Sequence, residues 1–292
     1  MEIIINAWHS LTGFWNWFLF QISEPAWDNY FYWLISISLF VYALEIIIPW
    51  RKEQNIIRKD FFLDAFYMFF NYFFFYMIGF AAIAFIGEQF TLEISRNLGL
   101  GDLWYIKLNN LPTWLQLLIY FIIIDFTHFC VHVMLHKIPW LWSFHKVHHS
   151  VREMGFAAHL RYHWMENVVY KSISYFPIAI IGGFNLEFVF IVHIIQTTIG
   201  HLNHANINLN YGPLKYLLNN PAMHIWHHSK EIPEGKFGVN FGISLSIWDY
   251  LFKTNHIPHN GKDIDLGFEK VETYPKSFVG QFTEPFRKKK KS

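Results

Sequence analysis

Residues 114–150 read WLQLLIYFIIIDFTHFCVHVMLHKIPWLWSFHKVHHS and contain the two features that decide the fold. The first part, Trp114–Leu135, is an apolar run long enough to cross about 30 Å of hydrocarbon as a helix. The second part ends in the pattern His-x-x-His-His, formed by His145, His148 and His149. Because neutral imidazole is a common metal ligand, a membrane helix followed by this pattern predicts a metal site at the membrane surface.

The same histidine pattern occurs a second time later in the chain, at His224, His227 and His228. The chain has 17 histidines among 292 residues. At that frequency, two copies of one three-histidine pattern are expected by chance with odds of roughly 0.002. Composition alone therefore does not explain the repeat, and a solvated basic helix is the alternative interpretation of either copy.

Two other patterns surround this second copy. Asn220-Pro221 precedes it and predicts a turn followed by the start of a helix. Residues 240–254 follow it and are amphipathic, which predicts a helix packed under the histidines.

Four ionisable residues follow one another at helical spacing through the end of the apolar run. His132 and His136 lie four residues apart and share a helix face, which His128 and Asp125 continue. A polar patch at a helix end is the simple alternative, but an ionisable residue inside a membrane span indicates function. We expect Asp125 and His128 to act in catalysis. Asp125 would orient an imidazole or act as an acid beside the substrate, and pairing with a neighbouring helix is the alternative.

His201 and His204 form a further His-x-x-His pair after an apolar hairpin. His163 is compatible with a ligand, an orienting partner or a structural residue. The predicted metal ligands are ten histidines: His132, His136, His145, His148, His149, His201, His204, His224, His227 and His228.

Ten histidines are more than one metal ion can bind, because one ion takes about four to six ligands. The sequence therefore predicts two metals. Magnesium and calcium prefer oxygen ligands, and structural zinc sites usually include cysteine, of which the chain has only Cys130. Two iron ions with an open position for dioxygen fit best, and copper and zinc remain alternatives.

The composition indicates a membrane protein. Hydrophobic residues make up 53% of the chain and aromatic residues 21%, whereas charged residues make up 15%, against about 25% in soluble domains. Residues 3–22 are compatible with an interfacial helix or a further span. The apolar stretches predicted to enter the membrane are Asn29–Trp50, Phe61–Gly87, Trp114–Leu135 and a hairpin formed by Val168–Ile181 and Phe184–Ile199.

Positive charges predict the topology. Arg51, Lys52, Arg58 and Lys59 lie between the first two spans, which places that loop in the cytoplasm. Counting spans from there places every histidine pattern and the basic tail at 287–291 on the cytoplasmic side.

The composition and short loops favour a bacterial inner membrane over the endoplasmic reticulum, for which the terminal lysines would be a retrieval signal. The net charge of +1 argues against a nucleic-acid partner.

We predict an all-α integral membrane bundle with about four to six membrane helices. A cytoplasmic, histidine-rich cap would hold a dinuclear metal site. The expected organisation is N-terminal membrane helices at 1–112, a catalytic domain at 113–255 and a basic cytoplasmic tail at 256–292.

The motifs resemble the membrane-bound sterol desaturase and fatty acid hydroxylase superfamily over about residues 110–255. The first run extends from Asp125-Phe through His132-Val-Met-Leu-His to the histidine pattern that ends at Ser150. Later runs, in the family's order, are Leu160-Arg-Tyr-His, His204-Ala-Asn, Pro221-Ala-Met-His-Ile-Trp-His-His-Ser and Trp248-Asp. The stretch from His204 through Tyr211-Gly-Pro to His228 resembles the alkylglycerol monooxygenase branch, which has an acidic residue where Asp125 stands.

The resemblance implies a non-haem di-iron centre with dioxygen as co-substrate, acting on a C–H bond of a membrane lipid. Both hydroxylation and desaturation are compatible with it, as are sterol, fatty acyl and ether lipid substrates. Electrons would come from a separate cytochrome b5-like or ferredoxin-like protein. The middle pair has the spacing His-x-x-His, and Val133 and Trp164 replace residues common in the family, so the subfamily stays open. A non-catalytic lipid-binding or metal-binding relative and a metal transporter are the alternatives.

Overall fold

The computed structural model describes residues 19–74, 110–180 and 186–287, together with residues 16, 96, 97 and 108. Within these residues the chain is helical, with no β-strand and with three isolated bridges between single residues. The predicted all-α class is therefore confirmed for this part of the chain. The helices are α1 (Tyr30–Ile47), α2 (Phe61–Phe74), α3 (Thr113–Lys137), α4 (Pro139–His149), α5 (Trp164–Ile180), α6 (Leu186–His204), α7 (Pro221–His227), α8 (Ile247–Leu251) and α9 (Phe278–Thr283).

Two helices, α1 and α3, are long and apolar enough to cross a membrane, with 18 and 25 residues. Both carry large apolar side chains that the rest of the protein leaves uncovered. Leu39 and Phe40 of α1 are 63% and 59% exposed, and Trp114 at the start of α3 is 67% exposed. Apolar surface of this extent fits contact with lipid better than contact with water.

The other predicted membrane segments are described only in part. α2 is the first part of the segment predicted at Phe61–Gly87. The remainder of that segment, most of residues 3–22 and residues 288–292 lie outside the described residues. α5 and α6 coincide with the predicted hairpin but extend beyond it, from Trp164 and to His204. An apolar run ends where polar residues begin. The helix continues through those residues, because its backbone hydrogen bonds do not require apolar side chains.

α3 is central to the described bundle, where it packs against α4, α5 and α6. α1 packs against α6, and a short 3₁₀ helix at Phe156–Leu160 packs against both α2 and α6. Val41 of α1, Ala157 and Ile207 are buried together in this contact. The arrangement brings the histidine-bearing ends of α3, α4 and α6 toward α7.

The turn predicted before the second histidine pattern is confirmed. Asn220 precedes α7, and its side-chain oxygen accepts a hydrogen bond from the backbone N–H of Met223 at 3.0 Å. Pro221 occupies the first helical position, where its missing N–H costs nothing because that donor has no partner in a helix. The position of this helix start determines the direction in which each histidine of α7 points.

The helix predicted at 240–254 is wrong over most of its length, because only Ile247–Leu251 is helical. Asn240 has a φ of 52°, which a helix does not permit. The next residues give their backbone N–H groups to two buried carboxylates, Asp125 and Asp249, instead of to helical carbonyls. The amphipathic pattern therefore belongs mostly to a buried loop and not to a helix.

Candidate metal centre

Nine of the ten predicted ligands lie in two compact groups of buried side chains. Within each group, one ring nitrogen from every histidine lies within 4.8 Å of the others. The five-histidine group consists of His132, His136, His145, His149 and His227. The four-histidine group consists of His148, His204, His224 and His228.

Each repeated histidine pattern supplies both groups. In α4, His145 and His149 lie four residues apart and enter the five-histidine group, while His148 enters the other. In and just after α7 the assignment is reversed, because His224 and His228 enter the four-histidine group and His227 enters the other. Residues four apart share a helix face, whereas adjacent residues diverge by about 100°.

The two groups touch along the adjacent histidines. The ring centroids of His149 and His228 are 4.5 Å apart, and those of His227 and His224 are 5.1 Å apart. This contact joins the groups into one centre.

The inner ring nitrogens face one another at distances that suit a shared cation. In the five-histidine group, Nε2 of His132 lies 3.2 Å from Nε2 of His145, and Nε2 of His136 lies 3.1 Å from Nε2 of His149. Nε2 of His227 is buried and has no hydrogen-bond partner. A buried polar atom without a partner is costly, so a ligand is expected there.

The four-histidine group has the same character. Nε2 of His224 lies 3.0 Å from Nε2 of His204 and 3.1 Å from Nε2 of His228, and His204 in turn lies 3.2 Å from His148. A neutral imidazole has one N–H donor, so these four nitrogens cannot all be satisfied by one another. Both donor sets therefore fit a bound metal.

Burial keeps these imidazoles in the form that binds metal. It lowers the pKa of His145, His149 and His228 well below the usual value near 6.5, and the neighbouring histidines lower it further. Neutral imidazole has a free lone pair at one ring nitrogen.

Most of the outer ring nitrogens are held by acceptors from the protein. Nδ1 of His132 lies 2.8 Å from the carbonyl of Phe241, and Nδ1 of His227 lies 2.9 Å from the carbonyl of Val239. An Nδ1–H that donates to such an oxygen leaves the Nε2 lone pair pointing into the group. Equivalent contacts join His148 to the carbonyl of Arg161 at 3.2 Å and His204 to the carbonyl of Gly200 at 2.7 Å.

Glu166 was not among the predicted site residues, yet it holds one ligand directly. Its carboxylate lies 2.7 Å from Nδ1 of His145. It also accepts the backbone N–H of His163 at 3.3 Å. Burial raises the pKa of Glu166 to about 8. Its position three residues after His163, which ends the motif beginning at Leu160, was the available signal.

His201 lies outside both groups. Its Nε2 is 3.1 Å from the hydroxyl of Ser38, and its Nδ1 is 2.8 Å from Nδ1 of His159. His163 also lies apart, with Nε2 at 3.0 Å from the carbonyl of Phe282.

Asp125 is buried, belongs to neither histidine group and anchors a loop. Its carboxylate accepts the backbone N–H groups of Ser244 and Leu245 at 3.0 and 3.1 Å, and the indole N–H of Trp248 at 2.9 Å. Both oxygens are therefore occupied. The geometry matches the alternative in which this carboxylate pairs with a neighbouring segment.

A cavity of about 180 Å³ opens beside both groups. His132 and His145 of the five-histidine group line it, as do His148, His204 and His224 of the other group. The second residue predicted to act in catalysis, His128, also lines it, with its ring centroid 5.2 Å from that of Tyr170.

Comparison with known proteins supports one family. Residues 117–254 match the fatty acid hydroxylase family. The chain is 31% identical to ornithine lipid hydroxylase OlsE of Rhizobium tropici over 61% of this chain and 52% of that protein. It is 30% identical to human (Homo sapiens) alkylglycerol monooxygenase over 51% of this chain and 33% of that protein. It is 26% identical to fatty acid hydroxylase vlmA of Lecanicillium sp over 55% of this chain and 48% of that protein.

The match thus spans about half of the first relative and a third of the second. No solved structure matches the chain significantly.

Proposed function

Through residues 117–254 the chain belongs to the fatty acid hydroxylase and sterol desaturase superfamily, and we propose that it is a membrane-bound di-iron lipid hydroxylase. The observation that carries the proposal is the pair of adjoining histidine groups, with inner nitrogens that face one another and lack sufficient partners. Di-iron chemistry requires two neighbouring sites, and the protein has two.

The five-histidine group would hold one iron and the four-histidine group the other. Iron bound there would supply the reduction of dioxygen that allows a lipid C–H bond to be oxidised. We propose hydroxylation and not desaturation, because the relatives are named as hydroxylases and monooxygenases.

The protein itself supplies orientation and a dry pocket. Backbone carbonyls hold Nδ1–H of His132, His148, His204 and His227, and Glu166 holds the Nδ1 atom of His145. These contacts fix the rings before a metal arrives. The cavity beside them is lined by α3, α5 and α6, so that a lipid tail could enter from the bilayer.

The remaining features of the proposal concern the setting of the enzyme. The catalytic domain extends over residues 113–255, between N-terminal membrane helices and a cytoplasmic tail. The histidine groups face the cytoplasm, in a bacterial inner membrane, where a separate cytochrome b5-like or ferredoxin-like protein supplies electrons. Apolar exposure on α1 and α3 supports the membrane location.

Metal content tests the proposal. The full chain, purified in detergent under reducing conditions, is expected to contain about two irons, since each group takes one. The double variant His148→Ala/His227→Ala, which removes one ligand from each group, is expected to lose most of this iron. The matched control His259→Ala changes an exposed histidine outside both groups and should retain it.

Activity provides the second part of the test. Cells that produce the wild-type chain should accumulate a lipid larger by one oxygen atom, and cells that produce the double variant should not. Iron below one atom per chain in the wild type, or equal iron in both proteins, would exclude the di-iron assignment.

A further inference from the structure

The cavity beside the metal centre has a basic end that the proposed iron chemistry does not use. Three helices contribute one basic side chain each to this end: His128 of α3, Lys171 of α5 and His193 of α6. All three side chains line the same cavity, and their helices pack together, with α3 in contact with both α5 and α6. We refer to these three residues as the basic end.

Aromatic contacts hold the two imidazoles in place. The ring of His128 stands edge-on to that of Tyr170, with centroids 5.2 Å apart. The ring of His193 lies 4.5 Å from that of Tyr30, whose hydroxyl is 3.1 Å from the hydroxyl of Thr197. The basic end is therefore a built part of the cavity wall.

The rest of the lining makes this end attractive to an anion. Glu166 is the carboxylate in the cavity wall, and it contacts His145 of the five-histidine group. The other polar groups in the wall are neutral and include hydrogen-bond donors, such as the amides of Asn167 and Gln196. Lys171 lies in the hairpin that the sequence predicts to enter the membrane, where a lysine is costly and therefore indicates a function.

The distance from the basic end to the metal centre is short. His128 and His132 are four residues apart on α3, a rise of about 6 Å. An extended chain advances about 1.2 Å per bond, so about five bonds span this separation. A lipid whose head group occupies the basic end therefore presents carbons near that head group to the metals.

Building on the proposed function, we propose that the basic end binds the oxyanion of a lipid head group, a phosphate or a carboxylate, and so directs hydroxylation to a carbon near that head group. Lys171 would supply the positive charge, and His128 and His193 would supply hydrogen bonds to the oxyanion. The chain of the lipid would extend past the histidine groups along the cavity.

Binding by the metal-free full chain in detergent tests this proposal. Isothermal titration calorimetry compares three probes that each carry an oleoyl chain: lysophosphatidic acid, oleate and uncharged monoolein. The wild type is expected to bind at least one anionic probe ten times or more tightly than monoolein. Lys171→Met should reduce this preference to less than twofold, and Lys171→Arg should retain most of it.

The control variant Lys276→Met removes one exposed positive charge outside the cavity and should keep the wild-type preference. A higher affinity for lysophosphatidic acid identifies a phosphate head group, and a higher affinity for oleate identifies a carboxylate. Equal binding of all three probes by the wild type, or an unchanged preference in Lys171→Met, would overturn the proposal. Should Lys171→Met fail to fold, as judged by its helical circular dichroism, Lys171→Gln serves instead.

The result is separable from that of the proposed function. Lipid binding is measured without metal, whereas iron content is measured in protein purified under reducing conditions. Selective anion binding by a chain that takes up no iron would leave the basic end standing and reject the di-iron hydroxylase. A chain that holds two irons but binds all three lipids equally would support the di-iron hydroxylase and reject the role of the basic end.

Discussion

The histidines of the two groups differ mainly in the acceptor that their Nδ1 atoms contact. His132 and His227 rely on carbonyls of one loop, His148 and His204 on carbonyls elsewhere, and His145 on the carboxylate of Glu166. Above its pKa of about 8 this carboxylate is a charged acceptor, which polarises an imidazole more strongly than a carbonyl does. His145 is therefore the ligand whose basicity is most raised by its partner.

Replacing Glu166 tests this partnership. Above pH 8, where Glu166 is ionised, we expect Glu166→Gln to weaken iron binding about 10–100-fold, because the amide can accept the hydrogen bond but lacks the charge. Competition with a chelator measures the affinity. Glu231→Gln, on the exposed surface, is the matched control, and equal affinities for both variants would count against the role of Glu166.

His201 and His204 provide a matched pair, three residues apart on α6. His204 belongs to the four-histidine group, whereas His201 contacts Ser38 and His159. His204→Ala should lower the iron content from about two to about one per chain, and His201→Ala should leave it at about two, since each group takes one metal. A loss of iron in His201→Ala comparable to that in His204→Ala would show that the ten-histidine prediction was right.

Among the structural elements, the irregular loop between α7 and α8 orients part of the five-histidine group. Phe241 and Val239 lie in this loop and hold two ligands of the five-histidine group. Asp249 accepts the backbone N–H groups of Phe241 and Gly242 at 2.7 and 2.8 Å, and the hydroxyl of Thr254 at 2.6 Å. Asp125 anchors the next part of the loop. Two buried carboxylates thus set the position of the carbonyls.

Removing one of these anchors should affect one metal more than the other. Asp249→Ala leaves two buried backbone donors without partners, at a cost of about 1–3 kcal/mol each, and releases the loop. We expect the iron content to fall toward one per chain, because the carbonyls that hold His148 and His204 of the four-histidine group lie outside this loop. Elemental analysis measures it, with the exposed Asp263→Ala as control. Equal loss of both irons would instead indicate general unfolding.

α9 docks on the bundle through His163, which gives that contact a pH dependence. Nε2 of His163 donates to the carbonyl of Phe282, and Nδ1 accepts the backbone N–H of Met165. Burial lowers the pKa of His163 to about 4, against about 6.5 in the unfolded chain. Below pH 6.5 the unfolded chain binds a proton that the folded chain does not, so stability falls as the pH falls toward 4.

At pH 5 the expected loss is about 2 kcal/mol relative to pH 7, or 1.5 pH units at 1.36 kcal/mol each. Hydrogen exchange of α9, corrected for its intrinsic pH dependence, measures this loss. His163→Gln retains a donor for Phe282 but does not titrate, so its α9 should show no such change. An equal change in the variant would assign the effect to other groups.

At the scale of the whole molecule, residue spacing and hydropathy predicted the local features of the fold but not its tertiary contacts. The helical class, the start of α7 and the family could be predicted, because each depends on local sequence or on repeated motifs. The loop at 240–246 and the partner of Asp125 could not, since buried carboxylates from distant positions determine them. Glu166 was also missed, because a single carboxylate carries no periodic signal.

The predicted orientation of the chain can be tested with two engineered cysteines in a Cys130→Ser background. Lys52→Cys lies in the loop after α1, and Lys276→Cys lies before α9. Both should react with a membrane-impermeant maleimide in inverted vesicles and stay unlabelled in spheroplasts, because positive residues face the cytoplasm. Labelling of the two positions from opposite sides would rule out this topology.

The alternation of α4 and α7 between the two histidine groups makes the spacing of these helices more critical than their composition. One inserted residue between His145 and His148 would turn the later histidines by about 100°, which would point His148 toward the five-histidine group and take His149 out of both groups. Most substitutions elsewhere on α4 change only one side chain. The two histidine groups should therefore tolerate most substitutions in these helices far better than they tolerate an insertion or a deletion.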